Sequence, residues 1–307
     1  MEQYHLANFL DHFSSPRLTS SSSHHGIYTV PRTMSSDHQS KPDSIVVRHP
    51  VAAYFLLTFT ISWLGALAVA APHLLRHEPL PIITGILMFP VMLLGPSLSG
   101  IFLTGVVAGK PGLRDLLSRL LRARISPIWY APLLIPPVLV LTLLLTLKTF
   151  LSPVYTPNLF LLGVLFGVPA GLLEEIGWTG FAFPRMSSQY NPLGASIAFG
   201  LLWSLWHLPV VNYLGTATPH GAYWFPFFLA FAFAMTAMRV LISWLYTNTK
   251  SVLLAQLMHV SSTGSLVIFS PPAVSAIQEV MWYELYGVAL WVAVLIVVRK
   301  FGTRFAA

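Results

Sequence analysis

The sequence predicts an all-α fold, a polytopic membrane bundle of about eight transmembrane helices. Three observations carry that reading. Of the 307 residues, 55% are hydrophobic and only 9% are charged, whereas a soluble domain carries about a quarter charged residues. The apolar residues fall in long runs, each close to the roughly 20 residues of one bilayer crossing. The basic residues gather between alternate runs, the pattern that orients membrane proteins.

Taken in chain order, residues 1–47 differ from the rest. They are rich in Ser, His and Pro, as in Thr19-Ser20-Ser21-Ser22-Ser23-His24-His25. Such a composition cannot bury a core and predicts a disordered polar tail. No apolar stretch there is long enough for a signal-peptide core. The adjacent pair His24-His25 is a poor ligand set for a metal. Residues 48–302 read as one membrane domain, with spans expected near 50–71, 82–108, 128–149, 158–178, 193–213, 222–246, 251–270 and 281–298. Pro90, Pro137, Pro169 and Pro226 fall inside these runs. Each removes a backbone donor and is expected to kink its helix. Between the second and third runs, Leu113 to Ile125 is amphipathic, with Leu113, Leu116, Leu117, Leu120 and Leu121 at helical spacing and arginines opposite. It is expected to lie on the inner membrane surface.

Charge excludes several functions. The net charge is +7, but the basic residues are scattered between apolar runs, so no nucleic-acid face forms; the bilayer is the partner they imply. The chain has no cysteine, which excludes disulfides, cysteine metal sites and thiol catalysis. With the N-terminus inside, Arg48, Lys110, Arg114, Arg119, Arg122, Arg124, Arg185, Lys250, Arg299, Lys300 and Arg304 fall on the inner side, against Arg76 and Lys148 outside. That asymmetry predicts a multi-pass protein with both termini cytoplasmic, in the plasma membrane if the source is bacterial.

Within so apolar a chain, ionisable residues inside spans stand out, because burying each in hydrocarbon costs several kcal/mol. Glu174 and Glu175 are the acidic residues within a span, and Glu78, Asp115, Glu279 and Glu284 read as in or beside loops. Among the histidines, His207 and His259 lie well inside spans. Thr263 follows His259 by one turn and shares its helix face. Arg239 lies near the inner end of the sixth span, where snorkelling to the interface is the preferred reading and pairing with a buried glutamate the alternative. Gly163, Gly167, Ala170 and Gly171 form a small-residue run that allows a close helix neighbour. The acidic and histidine side chains are therefore expected to converge, with Glu174 and His207 within direct or one-water reach. A carboxylate and a histidine can deprotonate water, and a second histidine with a hydroxyl can donate to a developing oxyanion. The residues alone leave three readings open: peptide hydrolysis, a divalent metal such as zinc held by Glu and His, or a proton relay in a transporter.

The motifs carry a resemblance. Glu174-Glu175-Ile176-Gly177-Trp178-Thr179-Gly180-Phe181, ending Phe183-Pro184-Arg185, resembles the first motif of the CPBP (ABI) family, the type II CAAX prenyl endopeptidases and bacteriocin-processing intramembrane proteases. Trp203 four residues before His207 resembles the second, and His259 in Leu253-Leu254-Ala255-Gln256-Leu257-Met258-His259 the third. Gly112-Leu113-Arg114-Asp115-Leu116-Leu117 is similar to the family's segment before its third span. The resemblance implies an intramembrane endopeptidase acting on a peptide or protein, prenylated substrates included, near the cytoplasmic membrane surface, through a polar cavity open to that side. It implies that Glu174 and His207 activate the attacking water, that Glu175 supports the site, and that His259 stabilises the oxyanion. Two positions depart from the family: Thr179 stands where the first motif has Arg, and Thr263 where the third has Asn. Arg185 and Arg239 are the candidates to replace the missing charge, and Thr263 can still donate a hydrogen bond. The alternatives are a catalytically weak or inactive relative acting as an immunity or scaffold protein, and a proton-coupled transporter.

Overall fold

The computed structural model describes residues 45–306, so residues 1–44 of the expected tail, with the His24-His25 pair, lie outside the described residues, and its last three fall in a short helix, Ile45–Arg48. Within them the fold is an all-α bundle. Its long members are α1 (Pro50–Leu75), α2 (Ile82–Leu120), α3 (Pro127–Phe150), α4 (Leu161–Gln189), α6 (Gly221–Thr249), α7 (Val252–Phe269) and α8 (Ala276–Phe301), all apolar and long enough to cross a bilayer. Their outward faces carry large apolar side chains such as Leu56, Phe102, Leu229 and Ile296. A water-soluble protein rarely exposes so much contiguous apolar surface; a lipid-facing bundle does.

The fifth expected span departs from that pattern. Helix α5 (Pro192–Trp206) has 15 residues, about 22 Å at 1.5 Å per residue, short of the roughly 30 Å hydrocarbon core. Pro209 explains the early stop, since the residue before a proline is driven out of the helical region. The chain completes the passage as a turn and a short 3-10 segment, Val211–Tyr213. His207 is thus the C-cap of α5 rather than a mid-helix residue.

Prolines also act differently from expectation. The break in α2 falls at Gly109, with φ 61° and ψ −158°, two residues before Pro111 and far from Pro90. That left-handed φ suits glycine, and it turns the amphipathic Leu113 segment away from the rest of α2. Pro137 and Pro226 sit in the first turn of regular α-helix, where the missing N–H leaves no bond unmade. Pro169 directly precedes a widened, π-helical turn, Ala170–Glu174; a second one spans Trp178–Ala182, so Glu174 ends the first and Glu175 lies between the two. Widened turns of this kind recur at functional sites.

Close approaches set the packing. A Cβ on Gly177 would run into the Pro96 carbonyl and the Tyr54 hydroxyl. On the other side of α4, a Cβ on Gly167 would lie 2.8 Å from the Gly264 backbone and one on Gly171 2.6 Å from the Gln256 carbonyl. The small-residue stripe read in the sequence is therefore where α7 docks. Trp178, wholly buried, packs edge-on against Tyr54, Phe199 and Trp206 at 5.5, 5.5 and 5.7 Å between ring centroids.

Hydrogen bonds tie the two ends of the bundle. At one end Arg119 donates to the Gly180 carbonyl and the Tyr246 hydroxyl, both at 3.0 Å. There too, Ser251 Oγ donates to the Arg122 carbonyl at 2.7 Å, and Leu193 N to the Thr303 carbonyl at 3.1 Å. At the other end Asn158 N and Phe160 N donate to the carbonyls of Phe269 and Ile268, at 3.2 and 3.0 Å.

Candidate active site

All five residues expected at the site come together around one buried region. Glu174, the last residue of the first widened turn of α4, is almost fully buried. Its Oε2 accepts from the indole N–H groups of Trp178 and Trp203, both at 2.9 Å. Two donors on one oxygen fix the carboxylate, and Glu174 lines the central cavity. His207 Nδ1 lies 2.8 Å from the Trp203 carbonyl. A carbonyl can only accept, so Nδ1 carries the proton and Nε2 of the neutral ring keeps a lone pair. Trp203 thus joins the two residues, its indole holding Glu174 and its carbonyl orienting His207. Trp206 and Phe231 confine the imidazole edge-on, at centroid distances of 4.8 and 5.1 Å.

Glu175 has a different role. Turned about 100° from its neighbour around the helix, it points away from the cavity and into a closed polar knot. Arg239 donates to both its oxygens, Nη1 at 2.9 Å and Nη2 at 2.7 Å. His259 Nδ1 donates to Oε1 at 2.8 Å, and Thr179 Oγ1 donates to Oε2. Arg239 does not snorkel. It is fully buried, and its guanidinium lies over Trp203 and Phe199, 4.4 and 4.8 Å from the ring centroids. The physical reason is α6, whose inner half packs against the bundle on all sides, so the side chain finds a buried carboxylate sooner than water. Arg185, the other candidate, donates to the Phe181 carbonyl at 2.8 Å and stacks on that ring. The charge missing at Thr179 is thereby supplied from α6, while Thr179 adds its hydroxyl to the same carboxylate.

His259 rests on Glu175 at one ring nitrogen and borders the cavity with the rest of its ring. Thr263, half-buried one turn later, lines the same cavity. The cavity holds about 490 Å³. Glu174, Trp203, His207, His259 and Thr263 form its polar floor, and Ile82, Ile86, Phe89, Phe160 and Phe166 an apolar wall. Among the described residues no three His, Cys, Asp or Glu side chains gather as a metal ligand set, and the Glu175 oxygens are already occupied. A zinc site takes three or more protein ligands, so this donor set does not fit one.

Sequence reasoning missed a second buried acid. Glu279, expected beside a loop, is wholly buried at the start of α8. Its carboxylate accepts from Thr216 N at 2.7 Å, Ala217 N at 2.9 Å and His220 Nε2 at 3.2 Å. His220 in turn stacks on Phe227, 3.8 Å between centroids. These contacts hold the 214–218 loop, whose Leu214, Gly215, Thr216 and Thr218 form another wall of the cavity. Gly215 has φ +80°, and a Cβ there would run into the Glu279 carboxylate. Nothing in the local sequence marks Glu279 as buried, because its partners lie about sixty residues away. The two indole donors were more legible, since Trp178 follows Glu174 by one helical turn.

Comparisons with known proteins agree with the motifs. A family model described as type II CAAX prenyl endopeptidase, Rce1-like, matches residues 156–264. That segment contains every residue of the polar floor. The CAAX prenyl protease 2 of Methanococcus maripaludis is 28% identical over 226 residues, which are 67% of this chain and 80% of that protein. Motif order, family model and relative agree that the chain is similar to the Rce1-type proteases of the CPBP family.

Proposed function

We propose that the chain is an intramembrane endopeptidase in which water activated by Glu174 and His207 attacks a peptide carbonyl. The observation that carries this reading is the carboxylate of Glu174, one oxygen held by two indoles, lining the same cavity as His207, whose Nδ1 is held by the Trp203 carbonyl. The water oxygen bonds to the carbonyl carbon while its proton passes to Glu174. The resulting oxyanion takes hydrogen bonds from Thr263 and His259. A donor at His259 Nε2 requires the doubly protonated ring, with Nδ1–H held by Glu175. Glu174 then returns the proton to the leaving nitrogen as the C–N bond breaks. Glu175, Arg239 and Thr179 position His259 and touch no reacting atom.

The substrate is a peptide or protein next to the membrane. The relatives' names point to prenylated CAAX tails, and the apolar wall of Ile82, Ile86, Phe89 and Phe166 suits a lipid-bearing chain. Arg239 weakens the case for an inactive scaffold, because that case rested largely on the missing charge at Thr179. Cleavage at the cytoplasmic surface would need the cavity mouth to share a face with the basic loops.

The test is hydrolysis of an internally quenched prenylated peptide by purified protein in detergent. Glu174→Gln keeps the shape but cannot take the proton, and it should abolish turnover while leaving monodisperse elution unchanged. Full activity in Glu174→Gln would remove this residue from the reaction.

A further inference from the structure

Where α2, α4 and α6 end, six cations crowd one surface: Arg114, Arg119, Arg122, Arg124, Arg185 and Lys250. Arg119 and Arg185 are half-buried and the other four exposed. Hydrogen bonds bring them together. Arg119 donates to the Gly180 carbonyl of α4 and to the Tyr246 hydroxyl of α6. Arg185 donates to the next carbonyl of α4, that of Phe181, at 2.8 Å, and lies 3.8 Å above the centroid of that ring. Lys250 Nζ lies 5.8 Å from the Tyr246 ring centroid, and the Arg122 carbonyl accepts from Ser251, which follows Lys250 in the chain. Among the described residues the acid on this surface is Asp115, paired with Arg119 at 2.9 Å. Three helix ends and the start of α7 add a net partial charge of about −1. Six cations therefore leave an excess of about four positive charges.

Membrane orientation accounts for cations in loops, but not for this arrangement. It does not call for two guanidinium groups seated on consecutive carbonyls of one helix, where like charges repel. Among the described residues Arg185 makes one hydrogen bond and Lys250 Nζ none, so both keep donors for an outside acceptor. Beside them Leu117 and Leu121 are 55% and 70% exposed, while Leu116 is buried against Gly180. The segment thus sets an apolar edge next to its arginines, the composition of a helix lying at headgroup level. A basic pocket between membrane helices at that level fits an anionic headgroup. We propose that this surface binds the phosphate of an anionic phospholipid through Arg185, Lys250 and Arg122, and that the bound headgroup steadies the widened turn Trp178–Ala182. The Gly180 and Phe181 carbonyls gripped by Arg119 and Arg185 belong to that turn. Trp178 and Thr179, from the same turn, donate to Glu174 and Glu175. An anion shared by the arginines lessens their repulsion and lets both keep their grip on the turn, so the lipid governs how firmly the two carboxylates are held. Only the effect on turnover rests on the endopeptidase reading; the binding stands on charge and geometry.

The test is titration of the full chain, purified in an uncharged detergent, with phosphatidylglycerol, the bound lipid being counted by native mass spectrometry. Each cation near an anionic surface contributes about fivefold in affinity. Arg185→Gln/Lys250→Gln should therefore bind roughly 25-fold more weakly than the wild type, whereas Arg299→Gln/Lys300→Gln, the same loss of charge at the end of α8, should bind as the wild type does. Arg122→Gln/Lys250→Gln, which alters two exposed side chains and leaves α4 untouched, repeats the test should the first variant fold poorly. Equal losses in the α8 variant would overturn the proposal, because they would show general attraction without a site. Equal binding of phosphatidylcholine would overturn it too, as would inorganic phosphate displacing the lipid at equal concentration, which would mark a site for free anions. In a second arm, the quenched peptide is cleaved by protein in phosphatidylcholine nanodiscs with and without phosphatidylglycerol. The anionic lipid should raise kcat in the wild type and not in Arg185→Gln/Lys250→Gln. Equal kcat in both lipids would overturn the coupling to the turn. If no peptide is cleaved in any lipid or in detergent, the endopeptidase reading fails while the titration still reports the lipid site.

Discussion

Replacing Arg239 by Met tests whether the buried charge pair is what holds the site. The substitution keeps an unbranched apolar chain in the hole but leaves Glu175 ionised and buried without its main counter-charge. Two charge-assisted bonds, at 2.9 and 2.7 Å, disappear together, as do cation–π contacts with Trp203 and Phe199. Breaking a buried pair from one side typically costs about 3–5 kcal/mol, because the remaining charge keeps its desolvation penalty. The two ring contacts add about 0.5–2 kcal/mol each, part of which the Met side chain retains as packing, so a loss of about 4 kcal/mol is expected. The double variant Glu175→Gln/Arg239→Met should lose far less, since removing both charges of a buried pair is often close to neutral, and a Gln carbonyl still accepts from Thr179 and His259. The assay is denaturant unfolding in micelles followed by tryptophan fluorescence, arranged as a double-mutant cycle. Adding Thr179→Arg to Arg239→Met should recover much of the loss by supplying the charge from one helical turn away. A loss below about 1 kcal/mol in Arg239→Met, the size expected of an exposed arginine, would refute the argument.

Further outcomes follow from the same geometry. His207→Ala should be as inactive as Glu174→Gln, and the double variant little worse than either, as residues acting as a unit are non-additive; additive losses in kcat would show separate roles. Thr263→Val should lower kcat by about 10²-fold if its hydroxyl serves the oxyanion, while Thr263→Asn should preserve or raise kcat, both read on the quenched peptide. Glu279→Gln should release the 214–218 loop, speeding hydrogen exchange at the Thr216 and Ala217 amides and raising KM more than it lowers kcat; unchanged exchange would show that the carboxylate does not hold the loop.

Much of the site was legible because the membrane makes polarity expensive. In runs of Leu, Val and Phe, Glu174, Glu175 and His259 cannot be decoration, and their spacing on α4 and α7 already implied a shared interior. The small stripe Gly163, Gly167 and Gly171 indicated close docking of some helix, though not that the partner would be α7. What the sequence left open depended on long-range choices. Arg239 lies 64 residues from Glu175, and the periodicity of α6 does not say which way its inner half faces. The length of α5 was misjudged because hydropathy continues through Leu208 and Val210 after Pro209 has already ended the helix. That early end matters chemically. It frees His207 from mid-helix geometry, where its Nδ1 would compete with the regular backbone ladder, and places it at a C-cap where the Trp203 carbonyl can fix its tautomer.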